Sequence, residues 1–267
     1  MHRAALEAIT RNHPEYASWD YVGFEIQPEQ FAEALPLFFE KGFFGLNLTL
    51  PHKVEALQLV SEVDPEAARM GAVNTLVRYG EGYHGFNTDG YGLQAGLKSE
   101  LDVNCRDRDV VLLGAGGASR AAAIQCLKDG CRSLWIGNRT EDRLNALVEA
   151  VNRAWGGSVV TPFDLTTPPE VLPRCPVLIN ATSLGLKESD PLPIDLSRFE
   201  EGTCVFDMIY NPPVTPIVRR ARELGFAAAT GLSMLVYQGA RSLEIWTQVP
   251  VSVPAMTEAA ESALKLR

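Results

Sequence analysis

The chain has 267 residues, 46% of them apolar and 21% charged, which is the composition of a globular protein with one large or two ordinary domains. A formal net charge of −9 argues against nucleic acid as a partner, since phosphate binding needs a basic face, but leaves room for an anionic small molecule held by a few cations. The apolar runs are short and broken by Gly, Pro or charge, so no membrane span is expected, and the opening residues lack the apolar core of a signal peptide.

Residues 2–11 read as an amphipathic helix, and Trp19–Ile26 alternates like a strand. Pro28 opens a helix in which Phe31, Leu35, Phe38 and Phe39 share a face, and Gly42 stands at its C-cap. Phe43–Leu48 is then a strand that runs out into Asn47-Leu-Thr-Leu-Pro-His-Lys53, because Pro51 forbids further ladder pairing. In an open α/β sheet, ligands collect at the carboxyl ends of strands, and this end gathers an amide, a hydroxyl and an ammonium. The competing reading makes Asn47 and Thr49 turn formers and Lys53 a solvated helix residue. Gly71–Val77 and Tyr83–Gly90 read as strands joined by a hairpin at Gly80-Glu81-Gly82. The second ends in Asn87-Thr88-Asp89, which either caps the helix from Tyr91 to Lys98 or binds a polyhydroxylated ligand.

Val110–Leu113 is a strand that enters Gly114-Ala115-Gly116-Gly117-Ala118-Ser119 and then a small-residue helix to Cys126, stopped by Gly130. Strand, glycine turn and helix together bring backbone amides and a helix N-terminus against a diphosphate. Ser119 stands where the third glycine of such a turn would be, and its small side chain still permits close helix–strand packing. Strands follow at Ser133–Gly137, Ser158–Thr161, Val177–Asn180, Thr203–Asp207 and Ala227–Thr230. Helices lie between them, one from its cap at Thr140 to about Val151 and another over Val214–Leu224. This alternation predicts a parallel sheet covered on both faces, a Rossmann-type domain. Two last helices cover Ser233–Thr247 and Val253–Leu266.

The second strand of that domain ends Asn138-Arg139-Thr140, with no acid before Glu141. A ribose 2′-hydroxyl is usually read by an acid at this place, whereas a 2′-phosphate wants a cation. Arg139 offers a planar fork, Arg143 a second charge one turn on, and Asn138 and Thr140 hydrogen bonds, so the cofactor expected is NADP rather than NAD. The five cysteines are odd in number and form no C-x-x-C pair, which suits reduced thiols in the cytoplasm. The four histidines show no metal-ligand spacing, and no metal is expected.

Asn47-Leu-Thr-Leu-Pro-His-Lys53, Gly71-Ala-Val-Asn-Thr75, Asn87-Thr-Asp-Gly90 and Gly-Ala-Gly-Gly-Ala-Ser119 occur in this order. Asn138-Arg-Thr140, Asn180-Ala-Thr-Ser183, Asp207-Met-Ile-Tyr210 and Gly231-Leu-Ser-Met-Leu-Val-Tyr-Gln238 follow. Taken together they resemble the shikimate dehydrogenase family along nearly the whole chain. The resemblance implies an N-terminal α/β substrate domain over 1–98, completed by the helices of 233–267, and a Rossmann NADP-binding domain over 99–232. It implies NADPH-dependent reduction of 3-dehydroshikimate to shikimate in aromatic amino acid biosynthesis, with Lys53 and Asp89 as the acid–base pair. Asn47, Thr49, Lys53, Asn74, Asp89, Tyr210 and Gln238 would bind the substrate. Ala181, Thr182 and Ser183 would line the cofactor cleft, with Met208 and Gly231 against the nicotinamide end. The expected assembly is a monomer or homodimer.

The family pattern opens on a strand and a Ser-x-Ser-Pro segment whose hydroxyls hold the substrate carboxylate, and Met1-His2-Arg3 matches what comes directly after it. The expectation is therefore a natural start upstream of Met1, and an unpaired sheet edge in these 267 residues. A quinate or aminoshikimate dehydrogenase is the alternative enzyme. A catalytically weak NADP-binding regulatory protein is the alternative from another class.

Overall fold

The computed structural model describes residues 1–265. The chain divides into two compact units, one of Met1–Asp89 with the chain from Val236 on, the other of Gly90–Leu235. The boundaries expected from sequence, 98/99 and 232/233, lie several residues from these, because each division falls inside an unbroken helix that no composition change marks. The expected ends of the last helix and domain, at Leu266 and Arg267, lie outside the described residues.

The first unit starts with α1 (His2–Thr10), which buries Ala5, Leu6 and Ile9 along one face. Trp19–Ile26, expected as a strand, is irregular. Alternation can qualify a segment for a ladder, but only a paired neighbour makes it a strand, and none pairs with it among the described residues. Pro28–Gln30 forms a 3-10 turn into α2 (Phe31–Glu40), and Gly42 leaves that helix at φ +82°. Next come β1 (Gly45–Asn47), α3 (His52–Leu59), β2 (Glu62–Val63) and α4 (Pro65–Met70). β2 and α4 are too short for a hydrophobic period to register in the sequence. Gly71, expected to begin a strand, is instead the left-handed cap of α4 at φ +68°. The hairpin is built from β3 (Thr75–Tyr79) and β4 (Gly82–Phe86).

These strands form a sheet of order β1-β3-β4-β2, antiparallel except for the β2–β4 pair. Phe31 and Leu35 of α2 pack under it with Ala56, Ala67, Val73, Leu76 and Tyr83. β1 is an edge strand. Between its outer side and the Asp20–Ile26 segment lies a cavity of about 530 Å³, which reaches Asn47 and Thr49.

α5 (Asp89–Leu101), whose first residue belongs to the first unit, leads in the second to β5 (Asp109–Leu113), α6 (Gly117–Lys128), β6 (Ser133–Asn138) and α7 (Glu141–Trp155). β7 (Val160–Asp164), β8 (Val177–Asn180), β9 (Cys204–Asp207), α8 (Pro216–Glu223) and β10 (Ala227–Thr230) complete it. The sheet is wholly parallel, in the order β10-β9-β8-β5-β6-β7. Val111, Leu113, Leu178, Val205 and Phe226 are among the side chains of its buried core. Such near-continuous apolar strands are what a sheet covered on both faces requires. The strand expected over Ser158–Thr161 begins two residues later and ends three later, and Thr140 precedes α7 without a capping bond from its hydroxyl.

β5 pairs with β6 on one side and β8 on the other, so the strand order reverses at β5. That reversal is the topological switch point where doubly wound sheets hold ligands, outside the strands' carboxyl ends.

α9 (Leu232–Thr247) and α10 (Val253–Lys265) end the described chain. The indole N–H of Trp246 donates to the Leu76 carbonyl at 2.7 Å and so ties α9 to β3. The approach is close enough that a Cβ on Gly45 would stand 2.3 Å from the Trp246 Nε1.

Candidate active site

At the switch point, Gly114 has φ +108°, and a Cβ there would meet the Ala181 carbonyl at 2.9 Å. Glycine is therefore required both by the backbone conformation and by the neighbouring turn. Gly116 and Gly117 face open space, and with Ala118 they are exposed at the start of α6. This is a cradle bare of side chains at the N-terminus of a helix of 12 residues, the arrangement that receives a phosphate. Ser119 is fully buried, and its hydroxyl accepts the Gly116 N–H at 3.2 Å. It shapes the turn from within, and Ala115 is half-buried beside it.

Arg139 and Arg143 are exposed, and no acidic side chain pairs with either among the described residues. Arg139 directly follows β6 and Arg143 is the third residue of α7. Asn138 donates to the Thr140 carbonyl at 2.9 Å and holds this turn in shape.

Ala181, Thr182 and Ser183 follow β8, and Met208 follows β9. Gly231 lies so close to Met208 that a Cβ would stand 2.3 Å from the Met208 carbonyl oxygen. Asp207, at the end of β9, is completely buried. Burial pushes its carboxyl up to about 6, opposed by hydrogen bonds from Thr215, Ile209 and Asn180. The native carboxyl therefore holds a proton up to a higher pH than the unfolded one, whose pKa is near 3.8. Stability from this group is present below the lower value and is lost as pH rises to the higher one. An Asp207→Asn variant is expected to gain on the wild type by roughly 2–3 kcal/mol between about pH 4 and pH 6.5. Urea unfolding of both proteins across that range checks this, and parallel pH profiles would contradict it.

In the first unit, the Lys53 ammonium meets both oxygens of Asp89, at 3.1 Å and 2.8 Å. Lys53 is set on α3, whose second residue it is, and its carbonyl takes the Val73 N–H at 2.7 Å. Asp89 is set as the first residue of α5. Both side chains are largely buried, with 20% and 9% exposed, so each charge depends on the other for compensation.

Asn74 is the hub beside them. Its amide donates to Asp89 at 2.8 Å and to Gln238 at 3.2 Å, and its carbonyl oxygen accepts the Thr88 N–H at 2.9 Å. Asn87 caps α5, accepting the Asp89 N–H at 2.9 Å. The capping reading of Asn87-Thr88-Asp89 is thus met by Asn87, while the Asp89 carboxylate is engaged by Lys53 and Asn74.

Asn47 joins the same system. Its amide donates to Ser242 at 2.9 Å and to Thr75 at 3.2 Å, while its carbonyl oxygen accepts from the Tyr21 hydroxyl at 3.1 Å. Burial raises the Tyr21 phenol, which keeps it a donor. The Ser242 hydroxyl is hydrogen-bonded to that of Thr75 at 2.7 Å and donates to the Gln238 carbonyl at 3.0 Å.

Of the residues expected at the substrate site, Asn47, Lys53, Asn74, Asp89 and Gln238 form one bonded network. Thr49 is exposed on the cavity beside β1, and only its backbone turns the chain, accepting the His52 N–H at 3.0 Å. Tyr210 belongs to the second unit and is exposed. Sequence reasoning missed Tyr21, Thr75 and Ser242. Only Ser242 carried a usable signal, one helical turn after Gln238 and hence on its face of α9. Among the described residues, no group of acids, histidines and cysteines could hold a metal ion, and no helix is long and apolar enough to cross a membrane.

Three family models match this chain in order: the shikimate dehydrogenase substrate binding domain over residues 6–76, shikimate/quinate 5-dehydrogenase over 97–187 and the shikimate 5′-dehydrogenase C-terminal domain over 231–261. The shikimate dehydrogenase (NADP(+)) of Geobacter metallireducens is 36% identical over 99% of this chain and 91% of its own. The solved shikimate 5-dehydrogenase of Thermus thermophilus, in complex with NADP(H) and shikimate, superposes with a TM-score of 0.83. It is 32% identical, covering 98% of this chain and 95% of that one. A quinate dehydrogenase from Corynebacterium glutamicum in complex with NAD gives a TM-score of 0.84 at 28% identity, over 98% and 94% of the two chains. With identity this high over nearly its full length, the chain belongs to the shikimate dehydrogenase family.

Proposed function

We propose that this protein is an NADP-dependent shikimate dehydrogenase, reducing 3-dehydroshikimate reversibly to shikimate within the shikimate pathway. The observation that carries the reading is the Lys53–Asp89 pair, largely buried and bonded to Asn74, which in turn bonds Gln238. Relatives of comparable length bear the name shikimate dehydrogenase (NADP(+)). NADPH supplies the hydride for such a reduction. Lys53 then holds a proton at the oxygen that becomes alkoxide, and Asp89 keeps the ammonium aimed and compensates its charge.

Asn47, Asn74 and Gln238 supply fixed amides for the substrate's hydroxyls, and Thr49 and Tyr210 further polar groups. The glycine turn from Gly114 to Ser119 takes the diphosphate. Asn138, Arg139, Thr140 and Arg143 take the 2′-phosphate, and Ala181 to Ser183, Met208 and Gly231 line the rest of the cofactor's path. We assign the enzyme to the cytoplasm, in keeping with five cysteines that stand free. A monomer or homodimer is the assembly we assign.

The likeness to a quinate dehydrogenase with NAD supports a second substrate reading, which the uncompensated Arg139 opposes on the cofactor side. Initial rates with shikimate and quinate, each with NADP and NAD, separate the two. The expected order places shikimate with NADP first, and a preference for quinate with NAD would replace the proposal.

A further inference from the structure

Asp207 is a buried acid with no cation beside it among the described residues, and the proposed chemistry does not use it. Its Oδ1 accepts the Asn180 side-chain amide at 3.0 Å and the Ile209 N–H at 3.1 Å, and its Oδ2 accepts the Thr215 hydroxyl at 2.5 Å. Asn180 carries the connection onward. Its carbonyl oxygen takes the Thr182 N–H at 3.1 Å and the Thr182 hydroxyl at 2.7 Å, and its amide donates to the Leu184 carbonyl at 3.1 Å. The Thr182 hydroxyl in turn accepts the Leu184 N–H at 3.1 Å. The clasp is closed on its other side by the Met208 N–H, which donates to the Asn180 backbone carbonyl at 2.9 Å.

We infer that Asp207 is a positioning residue for the cofactor. Its carboxylate locks the turn after β8, with Ala181, Thr182 and Ser183, to the turn after β9, with Met208. The inference rests on the reading of these turns as the NADP site. β8 and β9 end side by side, Asn180 opposite Asp207, and beyond that register no ladder pairs hold the two turns. The Met208 N–H bond to the Asn180 carbonyl links them on the main chain, and one acceptor with no proton of its own adds donors from the end of β8, from the turn after β9 and from the residue before α8. Burial excludes water that would compete for those donors. A carboxylate is costly to bury unpaired, so a purely apolar residue would satisfy the core better, but would take one of two acceptors from the Asn180 amide and the acceptor of the Thr215 hydroxyl and the Ile209 N–H.

The test compares wild type with Asp207→Leu, Asp207→Asn and Thr215→Val, using NADPH fluorescence titration and amide hydrogen exchange without cofactor. Asp207→Leu is expected to raise the NADPH Kd at least tenfold while the KM for shikimate changes less than twofold. It should also speed exchange at Thr182, Leu184 and Ile209. Asp207→Asn keeps an acceptor for Asn180 and Ile209 and is expected to restore both readouts to within about threefold of wild type. Thr215→Val removes one donor and leaves the rest, so it reads the same effect at smaller size should the leucine variant fail to fold. Thr215→Val is expected to raise the NADPH Kd about threefold. Unchanged NADPH affinity in the folded variants, whatever their melting temperatures, would overturn the inference. A wild-type protein that binds no NADPH would instead overturn the cofactor reading on which it rests.

Discussion

Replacing Lys53 by alanine is expected to lower kcat for shikimate oxidation by about 10²–10⁴-fold, the usual contribution of a positioned acid–base group. The ammonium contacts both oxygens of Asp89 and faces the protein's polar network, so the substitution removes a proton carrier and leaves a largely buried carboxylate without its cation. NADPH affinity should be unaffected, because the glycine turn and Arg139 lie in the other unit. Lys53→Arg separates charge from proton transfer: it keeps a cation beside Asp89 but scarcely releases a proton. Both variants are therefore expected to be slow, the arginine one with the better stability. Steady-state kinetics with NADPH titration checks this, and a Lys53→Ala rate near wild type would remove Lys53 from the chemistry.

The second large effect concerns Arg139. Its guanidinium is exposed and has no acidic partner among the described residues, so the side chain does no structural service that its removal would confound. Hydrogen bonds to a charged group contribute roughly 1.5–3 kcal/mol each. Arg139→Ala is therefore expected to lower kcat/KM for NADP by about 10–150-fold, with that for NAD nearly unchanged. Arg139→Glu should go further and turn the preference towards NAD, since an acid at this place suits a ribose hydroxyl and repels the 2′-phosphate. Parallel assays with the two cofactors decide it. Equal losses for NADP and NAD would mean that Arg139 acts on the turn as a whole.

Both predictions rest on residues that were legible without a structure, and the reason lies in how each is encoded. The glycine turn is a local device: strand, Gly114, Gly116, Gly117 and helix follow one another in the chain, and the backbone requirements act within a few residues. Arg139 was legible for the same cause, through the absence of an acid at the end of β6. Lys53 and Asp89 are 36 positions apart, and only the ordered motifs around them suggested a pair.

What was not legible depended on partners. Trp19–Ile26 has the alternation of a strand and no ladder to join, because β1 is the edge of its sheet and pairs only with β3 among the described residues. Gly71 reads as the start of an apolar run, yet a six-residue helix before it claims the glycine as a left-handed cap. Tyr21 and Thr75 carry no mark of function in the chain. They became part of the site when α9 brought Ser242 against Asn47 and Thr75, at sequence separations of 195 and 167.

The sequence by itself therefore determined the fold class, the glycine turn and the cofactor preference, since strand–turn–helix chemistry and hydrophobic period are short-range properties. The tertiary structure decided which polar groups are wired together. It made Ser119 an internal brace, Asn74 a hub and Asp207 a clasp between two turns. A hydroxyl, amide or carboxyl can serve many partners in a sequence, and burial at hydrogen-bond distance selects among them.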